Sequence, residues 1–600
     1  MIETEYEKEP KIKVRGYGNQ VWDDPKTIAE VLKTVLAEKA PACRNNREKN
    51  KRENNDGKRV TGKGNRILTV ECYPGVRKED VKELLSGLDY DCWIDADSCA
   101  YCDETLDSMM ERELTDDRVF GIYTTHCLED YFDMEKVNQA AEQAAAADGL
   151  VVICGTGASL IDEGDVLLYC DMARWEIQLR YRSGMPNWNT HNEDAPILTK
   201  YKRGYFIEWR LADKVKKKLF HRMDFVLDTN TKGRFCMASQ AAVCGALEQA
   251  ASQPFRVVPY FDPGVWGGQW MKKVCGLDEK ETNYAWSFDG VPEENSLLLD
   301  FDGKIMQIPA IDLVFERPHE LLGEHVHGRF GTEFPIRFDF LDTIEGQNLS
   351  LQVHPLTEYI QEKFNMNYTQ DESYYILDTQ KEDVYVYLGL KNGIRKEDMA
   401  RDLKKAQEGG YSFPAEKYVN KIPVKKHDHV LIPAGTVHCS GAGTMVLEIS
   451  ATPYIFTFKL WDWDRLGLDG LPRPVHIEHG LANIQWDRNT DWVYENLVGQ
   501  VEVQKEEPGL RVEKTGLHNR EFIETTRIWM EKPVQMETKD SVNMLNLVEG
   551  TRIRVISTDN RFEPYTVHYA ETFIVPAGVK EYILEPEKGE LAAVICARVR

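Results

Sequence analysis

Long apolar runs are missing from this chain of 600 residues. No segment approaches the roughly 20 consecutive apolar residues that a membrane-spanning helix needs. The first residues, Met1-Ile2-Glu3-Thr4-Glu5-Tyr6-Glu7-Lys8, also lack the basic stretch and apolar core of a secretory leader. We therefore expect a cytoplasmic protein with no membrane partner.

Excess positive charge is missing as well. The formal net charge is −25, which argues against general binding to nucleic acid or to anionic membranes. A local cationic pocket can still hold a small phosphorylated ligand. The thirteen cysteines are scattered, and the close group Cys92, Cys99 and Cys102 has no second pair at zinc-ribbon spacing. Reduced thiols are expected.

The length exceeds what one hydrophobic core supports, so several domains are predicted. We predict an N-terminal segment with a flexible basic loop at 1–65 and an α/β domain of unknown activity at 66–250. A metal-binding all-β domain with a helical insertion is predicted at 251–500. A smaller all-β domain without metal ligands is predicted at 501–600.

Short β-branched runs alternate with helical periodicity between Arg66 and Asn230. This alternation predicts a doubly wound parallel sheet. The predicted strands are 67–72, 92–95, 120–124, 150–154, 166–170 and 224–227, and the predicted helices include 78–88, 134–147 and 173–182.

Two turns of this region stand where phosphate-binding loops occur in parallel sheets, but neither carries the complete motif. Tyr73-Pro74-Gly75-Val76 follows the first strand without Gly-x-x-x-x-Gly-Lys-Ser/Thr. Gly155-Thr156-Gly157-Ala158 is either a phosphate cradle or a tight turn. Residues 128–133 and 171–180 resemble the substrate strand and the arginine-bearing lid helix of uridine-kinase-like proteins. The resemblance implies a nucleotide partner, while the absent lysine disfavours phosphoryl transfer.

A polar strand face is present in Ser350-Leu351-Gln352-Val353-His354. Side chains two apart on a strand point to the same side, so Gln352 and His354 face the same way. Ile432-Pro433-Ala434-Gly435-Thr436-Val437-His438 brings a second histidine after a turn, and Glu372 begins a third apolar run. One amide, one carboxylate and two imidazoles suit a zinc-like metal. Each of these residues alone is more often structural than a ligand.

Residues 255–600 resemble the type I phosphomannose isomerases, which are zinc enzymes of the cupin fold. The resemblance implies a jelly-roll domain with a helical insertion and a second, smaller cupin that lacks the metal histidine. It follows an ordered set of landmarks: Val265-Trp266-Gly267-Gly268, Pro318-His319-Glu320-Leu321-Leu322-Gly323, the 350–355 strand, Glu372-Ser373-Tyr374-Tyr375, the 432–438 segment and Trp461-Asp462-Trp463-Asp464-Arg465.

The resemblance also implies roles for individual residues. It implies one Zn²⁺ per chain, and a small phosphorylated sugar as substrate. Ser350 matches a residue that contacts the substrate phosphate, and Glu448 matches an acidic position of the pocket. The implied zinc ligands are Gln352, His354, Glu372 and His438.

Three cationic positions of the family are altered in this chain. Lys459 stands where the family has an arginine that helps to stabilise the transition state, Gln370 replaces a lysine, and Asp339 replaces another. Arg337, two residues from Asp339, is predicted to supply a replacement charge to the substrate. Lys459 and Glu448 are the predicted catalytic residues.

The leading hypothesis is a zinc-dependent mannose-6-phosphate isomerase of carbohydrate metabolism. Two alternatives stay open at this point. One is a regulator that binds sugar phosphate with little catalysis, which the altered cations favour. The other is a bifunctional kinase and isomerase, which the missing phosphate-loop lysine disfavours.

Overall fold

The structure is a computed structural model that describes residues 5–47, 65–380, 383–451, 454–467, 470 and 472–600. It divides the chain into two compact units, as expected for a multi-domain protein. The α/β unit comprises Ile12–Leu247 and Leu298–Pro309, and the β unit comprises Met1–Lys11, Glu248–Leu297 and Ala310–Arg600. The four predicted domain boundaries stay a prediction.

A seven-stranded sheet forms the centre of the α/β unit, in the order β2-β8-β7-β6-β3-β5-β4. Strands β3 to β7 run parallel, while β8 and β2 are antiparallel additions at one edge. The central strands are buried along nearly their whole length, which explains their continuous apolar sequences. The strands are β1 (Lys11–Lys13), β2 (Val21–Trp22), β3 (Arg66–Cys72), β4 (Cys92–Asp95), β5 (Leu150–Gly155), β6 (Val166–Asp171), β7 (Phe225–Asp228) and β8 (Cys236–Ser239).

Apolar side chains of two helices, α1 and α2, pack with those of the sheet into one buried core that includes Ile28, Leu32 and Val81. A π-helical turn at Gly204–Glu208 joins α7 to α8. The α-helices are α1 (Pro25–Arg47), α2 (Lys78–Leu85), α3 (Asp103–Leu114), α4 (Met134–Ala146), α5 (Ala158–Ile161), α6 (Arg174–Arg182), α7 (Ile197–Arg203), α8 (Trp209–Leu219) and α9 (Gln240–Ala250).

Two predictions for the N-terminal part need comment. The strand predicted at 120–124 is wrong, because this segment is irregular. Its amides bond to groups outside any strand: Ile122 N–H donates to the Glu113 carbonyl (2.7 Å) and Thr124 N–H to the Phe206 carbonyl (3.1 Å). Most of the predicted basic loop lies outside the described residues. The first residues of this predicted loop belong to α1, which ends at Arg47.

Antiparallel sheets dominate the β unit. One six-stranded sheet has the order β18-β15-β20-β13-β10-β9, and a five-stranded sheet has the order β17-β16-β19-β14-β21. The strands to this point are β9 (Tyr260–Asp262), β10 (Trp286–Gly290), β11 (Ser296–Phe301), β12 (Lys304–Pro309), β13 (Arg337–Asp342), β14 (Leu351–Val353), β15 (Glu372–Thr379), β16 (Tyr385–Leu390), β17 (Val419–Pro423), β18 (His429–Ile432), β19 (His438–Ser440), β20 (Thr444–Ser450) and β21 (Phe458–Trp461). Strands β11 and β12 form a separate three-stranded sheet with β1.

A second pair of sheets follows in the sequence, with the orders β22-β23-β24-β31-β26-β29 and β25-β30-β27-β28. Its interior is an apolar cluster that includes Leu545, Val555, Phe573 and Val594. The strands are β22 (Glu502–Glu507), β23 (Leu510–Gly516), β24 (Ile523–Met530), β25 (Val534–Glu537), β26 (Asn543–Glu549), β27 (Arg552–Ser557), β28 (Tyr565–His568), β29 (Thr572–Val575), β30 (Glu581–Pro586) and β31 (Ala592–Val599). An interior filled by aliphatic and aromatic side chains is that of a packed domain rather than a ligand site.

Helices are short in the β unit except near the predicted insertion. They are α10 (Trp270–Val274), α11 (Ile311–Glu316), α12 (Pro318–Leu322), α13 (Glu324–Phe330), α14 (Thr357–Phe364), α15 (Lys396–Gln407), α16 (Ala415–Tyr418), α17 (Ile477–Asn483) and α18 (Thr490–Asn496). The chain also has 3-10 turns at Gly18–Gln20, Ser86–Leu88, Ala96–Cys99, Leu128–Tyr131, Phe220–Arg222 and Ala577–Val579. Of all the helices in the described ranges, none has both the length and the apolarity that a membrane crossing requires.

Candidate metal centre

The four predicted metal ligands come from two facing sheets of the β unit. Gln352 on β14 pairs directly with His438 on β19, and His354 follows the last residue of β14. Glu372 is the first residue of β15 in the six-stranded sheet. Gln352 and His354 are two residues apart at this end of β14, and their common direction stays a prediction from strand alternation.

The carboxylate of Glu372 lies between the two imidazoles. His354 Nε2 is 3.1 Å from Glu372 Oε2, and His438 Nε2 is 2.8 Å from Glu372 Oε1. Both histidines and Glu372 are at most 1 % exposed. Burial favours the neutral acid, but the adjacent His354 and His438 outweigh it and hold the pKa of Glu372 well below its usual range.

Backbone carbonyls fix which ring nitrogen of each histidine carries hydrogen. His354 Nδ1 donates to the Phe456 carbonyl, and His438 Nδ1 donates to the Thr436 carbonyl, both at 2.8 Å. In the neutral imidazole, Nε2 then presents a lone pair toward the Glu372 carboxylate. Two such lone pairs beside one carboxylate form a set of donors that a cation would satisfy.

The centre fits a divalent metal by its unsatisfied atoms. His354 Nε2, His438 Nε2 and Glu372 Oε1 are buried and have no hydrogen-bond partner among the described residues. One ligand atom from each of these residues lies within 4.8 Å of the others. Nδ1 hydrogen bonds to carbonyls are the usual means of orienting metal-binding imidazoles. Within the part of the chain that the structure describes, this is the one such group of His, Cys, Asp or Glu side chains.

Gln352 borders this group from the five-stranded sheet. Its Nε2 lies 3.4 Å from the hydroxyl oxygen of Tyr374, which is on the facing sheet. The side chain is 6 % exposed. Its place in the ligand set stays a prediction.

Glu448 on β20 pairs directly with Tyr374 and Asp339, so it lies on the same face of the six-stranded sheet as these two residues. Glu372, two residues from Tyr374 on β15, shares this face. Gln370 Nε2 donates to both Glu372 Oε2 (3.0 Å) and Glu448 Oε1 (3.2 Å). Burial, followed by the charge of Glu372, raises the pKa of Glu448 well above its usual range. The neutral amide of Gln370 therefore bridges the metal group and the predicted catalytic carboxyl.

Arg337 is paired with Asp339 on the same strand face. Its Nε donates to Asp339 Oδ2 at 2.5 Å, and both side chains are at most 3 % exposed. Burial raises the pKa of Asp339 to about 6 although Arg337 opposes the shift. The predicted contact of Arg337 with substrate stays a prediction, since its guanidinium already neutralises a buried acid.

A charged cluster surrounds Ser350 at the other end of β14. The Ser350 hydroxyl donates to Asp462 Oδ1 (2.6 Å) and accepts from Arg473 Nη1 (3.2 Å). Arg473 and Arg465 also bond to Asp462, at 3.0 and 2.6 Å. Burial, followed by the neighbouring Arg473, lowers the pKa of Lys459 to about 7.

Arg465, Arg473 and the partly ionised Lys459 outweigh the one carboxylate of Asp462, and this positive excess favours an anion. Lys459 pairs with Gln352 across β14 and β21, so the cluster borders the metal group. Sequence reasoning placed Ser350 and Lys459 here but missed Arg465 and Arg473. Both arginines are close in sequence to the Trp461-Asp462-Trp463 run, but no sequence pattern predicts that both bond to Asp462. The contact of Asp462 with Ser350 joins residues 112 positions apart.

Carboxylates of the α/β unit occupy the amides of its second candidate phosphate loop. Gly157 N–H donates to Glu71 Oε1 (2.6 Å), and Ser159 N–H donates to Glu71 Oε2 (2.7 Å). Thr156 N–H donates to Asp97 Oδ1 (2.9 Å). These are the donors that a bound phosphate would use, so the tight-turn alternative describes the loop.

The first candidate loop is lined by α6. Arg180 Nη1 donates to the Gly75 carbonyl (2.7 Å), and a Cβ added to Gly75 would lie 2.9 Å from Ile177. Lys78, at the start of the following helix, forms ion pairs with Asp95 and Asp97. The local cations therefore serve internal partners.

Comparison with known proteins adds two findings. The model of a family described as a domain of unknown function (DUF8485) matches residues 51–252. Mannose-6-phosphate isomerase ManA of Bacillus subtilis (strain 168) is 26% identical over 235 residues, which are 39% of this chain and 69% of the relative. The homologues of this part of the chain are mannose-6-phosphate isomerases.

A second curated relative has the same name, and two solved structures are also similar to this chain. Mannose-6-phosphate isomerase of Streptococcus mutans is 26% identical over 36% of this chain and 63% of its own length. The crystal structure of the Bacillus subtilis mannose 6-phosphate isomerase covers 58% of this chain and 99% of that protein, with 19% identity and a TM-score of 0.47. A zinc-bound mannose 6-phosphate isomerase has 13% identity, covers 58% of this chain and 99% of that protein, and has a TM-score of 0.44.

Proposed function

We propose that the chain is a metal-dependent aldose–ketose isomerase that interconverts mannose 6-phosphate and fructose 6-phosphate. The carrying observation is the buried His354–Glu372–His438 group with both Nε2 atoms directed at one carboxylate. The isomerase relatives, at 26% identity over 39% of the chain, support the reaction type. The cupin architecture and the localisation stay part of this proposal.

The proposed cofactor is one Zn²⁺ per chain, held by His354, Glu372, His438 and Gln352. A mixed nitrogen and oxygen set with an open position is typical of catalytic zinc. When bound, the ion would act as a Lewis acid that stabilises negative charge developing on the sugar oxygens.

The proposed site for the sugar phosphate is the cluster at Ser350, with Arg465 and Arg473 as the charged donors. Arginine matches the geometry of phosphate oxygens because its N–H groups form a planar fork. Asp462 orients both guanidinium groups through the bonds described above. The bonds of the Ser350 hydroxyl to Asp462 and Arg473 support its inclusion in this set.

The isomerisation moves a proton from C2 of the aldose to C1 of the ketose through an enediol, while a second proton passes from O2 to O1. Glu448 is the proposed carboxyl group for the carbon-bound proton, because it is buried beside Glu372 and held by Gln370. Lys459 is the proposed cation near the developing oxyanion.

A metal-loading experiment tests the proposal. We expect one zinc per chain and turnover of mannose 6-phosphate. A coupled assay for fructose 6-phosphate measures this turnover. Chelation and His438→Ala should abolish both. His429→Ala is the matched control, because His429 is a buried histidine bonded to Ser373 Oγ at 2.8 Å rather than a proposed ligand. Bound metal without turnover of any hexose 6-phosphate would favour the regulatory alternative.

A further inference from the structure

The turn Pro433-Ala434-Gly435-Thr436, here called the 433–436 turn, carries the carbonyl that orients His438. The Thr436 carbonyl accepts the His438 Nδ1 hydrogen at 2.8 Å. The turn also touches the second histidine, because Gly435 N–H donates to the His354 carbonyl at 3.0 Å. The turn therefore bonds the imidazole of His438 and the backbone of His354.

Arg488 forms hydrogen bonds to one side of the turn. Its Nη1 lies 2.7 Å from both the Pro433 and Ala434 carbonyls and also bonds to Thr436 Oγ1. The side chain is 6 % exposed, and its guanidinium carbon lies 5.2 Å from the ring centroid of Trp492. A buried guanidinium that bonds backbone carbonyls restrains those peptides strongly, since each bond is charge-assisted.

Asp371 holds the turn from the other side. Its Oδ1 accepts the Ala434 N–H at 2.7 Å, and Asp371 directly precedes Glu372 in the sequence. The turn is thus fixed to the carboxylate strand by one bond and to Arg488 by three.

We propose that Arg488 is a positioning residue for the metal centre, acting through the 433–436 turn on His438. This inference rests on the proposed metal-binding function. Arg488 touches none of the proposed ligands in the bonds given above. Its effect on the centre passes through the Thr436 side chain and the peptides that precede the Thr436 carbonyl.

The arginine matters for its shape as well as for its charge. A guanidinium is planar and rigid, whereas a lysine ammonium is a point charge on a flexible stem. A lysine at position 488 keeps the charge but not the fork geometry. Glutamine removes the charge and most of the donors.

Metal affinity and spectroscopy test the proposal in the full-length protein. Zn²⁺ dissociation constants are measured for the wild type, Arg488→Lys and Arg488→Gln, well below the unfolding temperature of each. Co²⁺ is then used as a probe, because its visible absorption reports ligand geometry. Arg527→Gln is the matched control: Arg527 is also a buried arginine that bonds a backbone carbonyl, at His427, and makes no bond to the turn.

We expect Arg488→Gln to bind Zn²⁺ about 10- to 100-fold more weakly, the range typical of lost outer-shell partners. Its Co²⁺ spectrum should change, Arg488→Lys should be intermediate, and Arg527→Gln should match the wild type in both readouts. Excess Zn²⁺ should restore activity to Arg488→Gln in part.

The outcomes separate the two proposals. A wild-type protein that takes up no divalent metal contradicts the proposed function itself. A wild type that binds one metal, with unchanged affinity and spectrum in the Arg488 variants, overturns the positioning role alone. If Arg488→Gln does not fold, the comparison of Arg488→Lys with Arg527→Lys decides in the same way.

Discussion

Lys459 shows how one residue can carry the charge of a site only over part of the pH range. It lies opposite Gln352 on the strand that borders the metal group. Burial, followed by Arg473, lowers its pKa to about 7. Its ammonium is therefore present below about pH 7 and is lost as the pH rises further.

This titration gives a pH prediction for Lys459→Arg. Because a guanidinium stays charged throughout, the variant should lose an alkaline fall in kcat that the wild type shows near pH 7. Activity at pH 8 should rise relative to the wild type. The measurement is the pH profile of the coupled assay, and identical profiles for the two proteins would exclude Lys459 as the titrating cation.

The charged cluster at Ser350 gives a prediction about substrate binding. Arg473→Met should raise KM for mannose 6-phosphate about 10-fold or more, since a charged hydrogen bond contributes about 1.5–3 kcal/mol. The control is Arg554→Met, which removes a half-exposed arginine of β27 that is paired with Glu585 on the neighbouring strand β30. Steady-state kinetics decide the matter, and an unchanged KM would place the phosphate elsewhere.

Residue types were easier to predict than residue partners. The alternation of Gln352 and His354 is a local property of a strand, so the sequence suffices for it. The bonds of Gln370 to Glu448 and of Ser350 to Asp462 join positions that the pairing of β15 with β20 and of β14 with β21 brings together. Such partners depend on register and side-chain packing, which no local pattern encodes.

At the scale of elements, the parallel sheet followed from its apolar runs, while the irregular segment 120–124 did not. Phe120 is buried at 1 % exposure, so an apolar run marks burial but not strand pairing. The candidate phosphate loops show the same limit. The glycines predicted both turns. They did not predict that Glu71 and Asp97 accept the amide hydrogens of the second loop.

Those occupied amides predict that the α/β unit does not hold a nucleotide through its second candidate loop. A phosphate would have to displace the buried Glu71 carboxylate from two backbone donors, at 2.6 and 2.7 Å. Titration calorimetry of the full chain with Mg-ATP should give no binding heat. A dissociation constant below about 1 mM would contradict this expectation and revive the nucleotide prediction.

The loop before β18 and the strand β26 are joined by a salt bridge that predicts acid sensitivity. Hydrogen bonding to His427, and then Lys426, lowers the pKa of Glu549 from 4.5 to about 2. Because the pKa of Glu549 is lower in the folded than in the unfolded protein, its ionised carboxylate stabilises the fold at pH values above about 4.5. This contribution is lost as the pH falls from about 4.5 to about 2.

Glu549→Gln should therefore lower the free energy of unfolding by about 1–3 kcal/mol at pH 6. The difference from the wild type should shrink toward pH 2. Denaturant unfolding at several pH values is the measurement, with Glu537→Gln, an exposed carboxylate on β25, as the control. A difference that is independent of pH would rule out this salt bridge as the cause.

At the scale of the whole molecule, the sequence indicated several domains, and the structure divides the chain into two compact units. The segment Leu298–Pro309 belongs to the α/β unit although the β unit flanks it in sequence. Such an excursion depends on pairing with β1, hundreds of residues away, and leaves no compositional signal. The curated relatives named above match 39% and 36% of the chain.

The central claim is that this chain is a metal-dependent isomerase, and one measurement addresses it most directly. The purified protein is stripped with a chelator, reloaded with one equivalent of Zn²⁺ and assayed for conversion of mannose 6-phosphate to fructose 6-phosphate. Our account predicts no turnover without metal, turnover with one equivalent, and none in His438→Ala. Stoichiometric metal binding with no conversion of mannose 6-phosphate would contradict it.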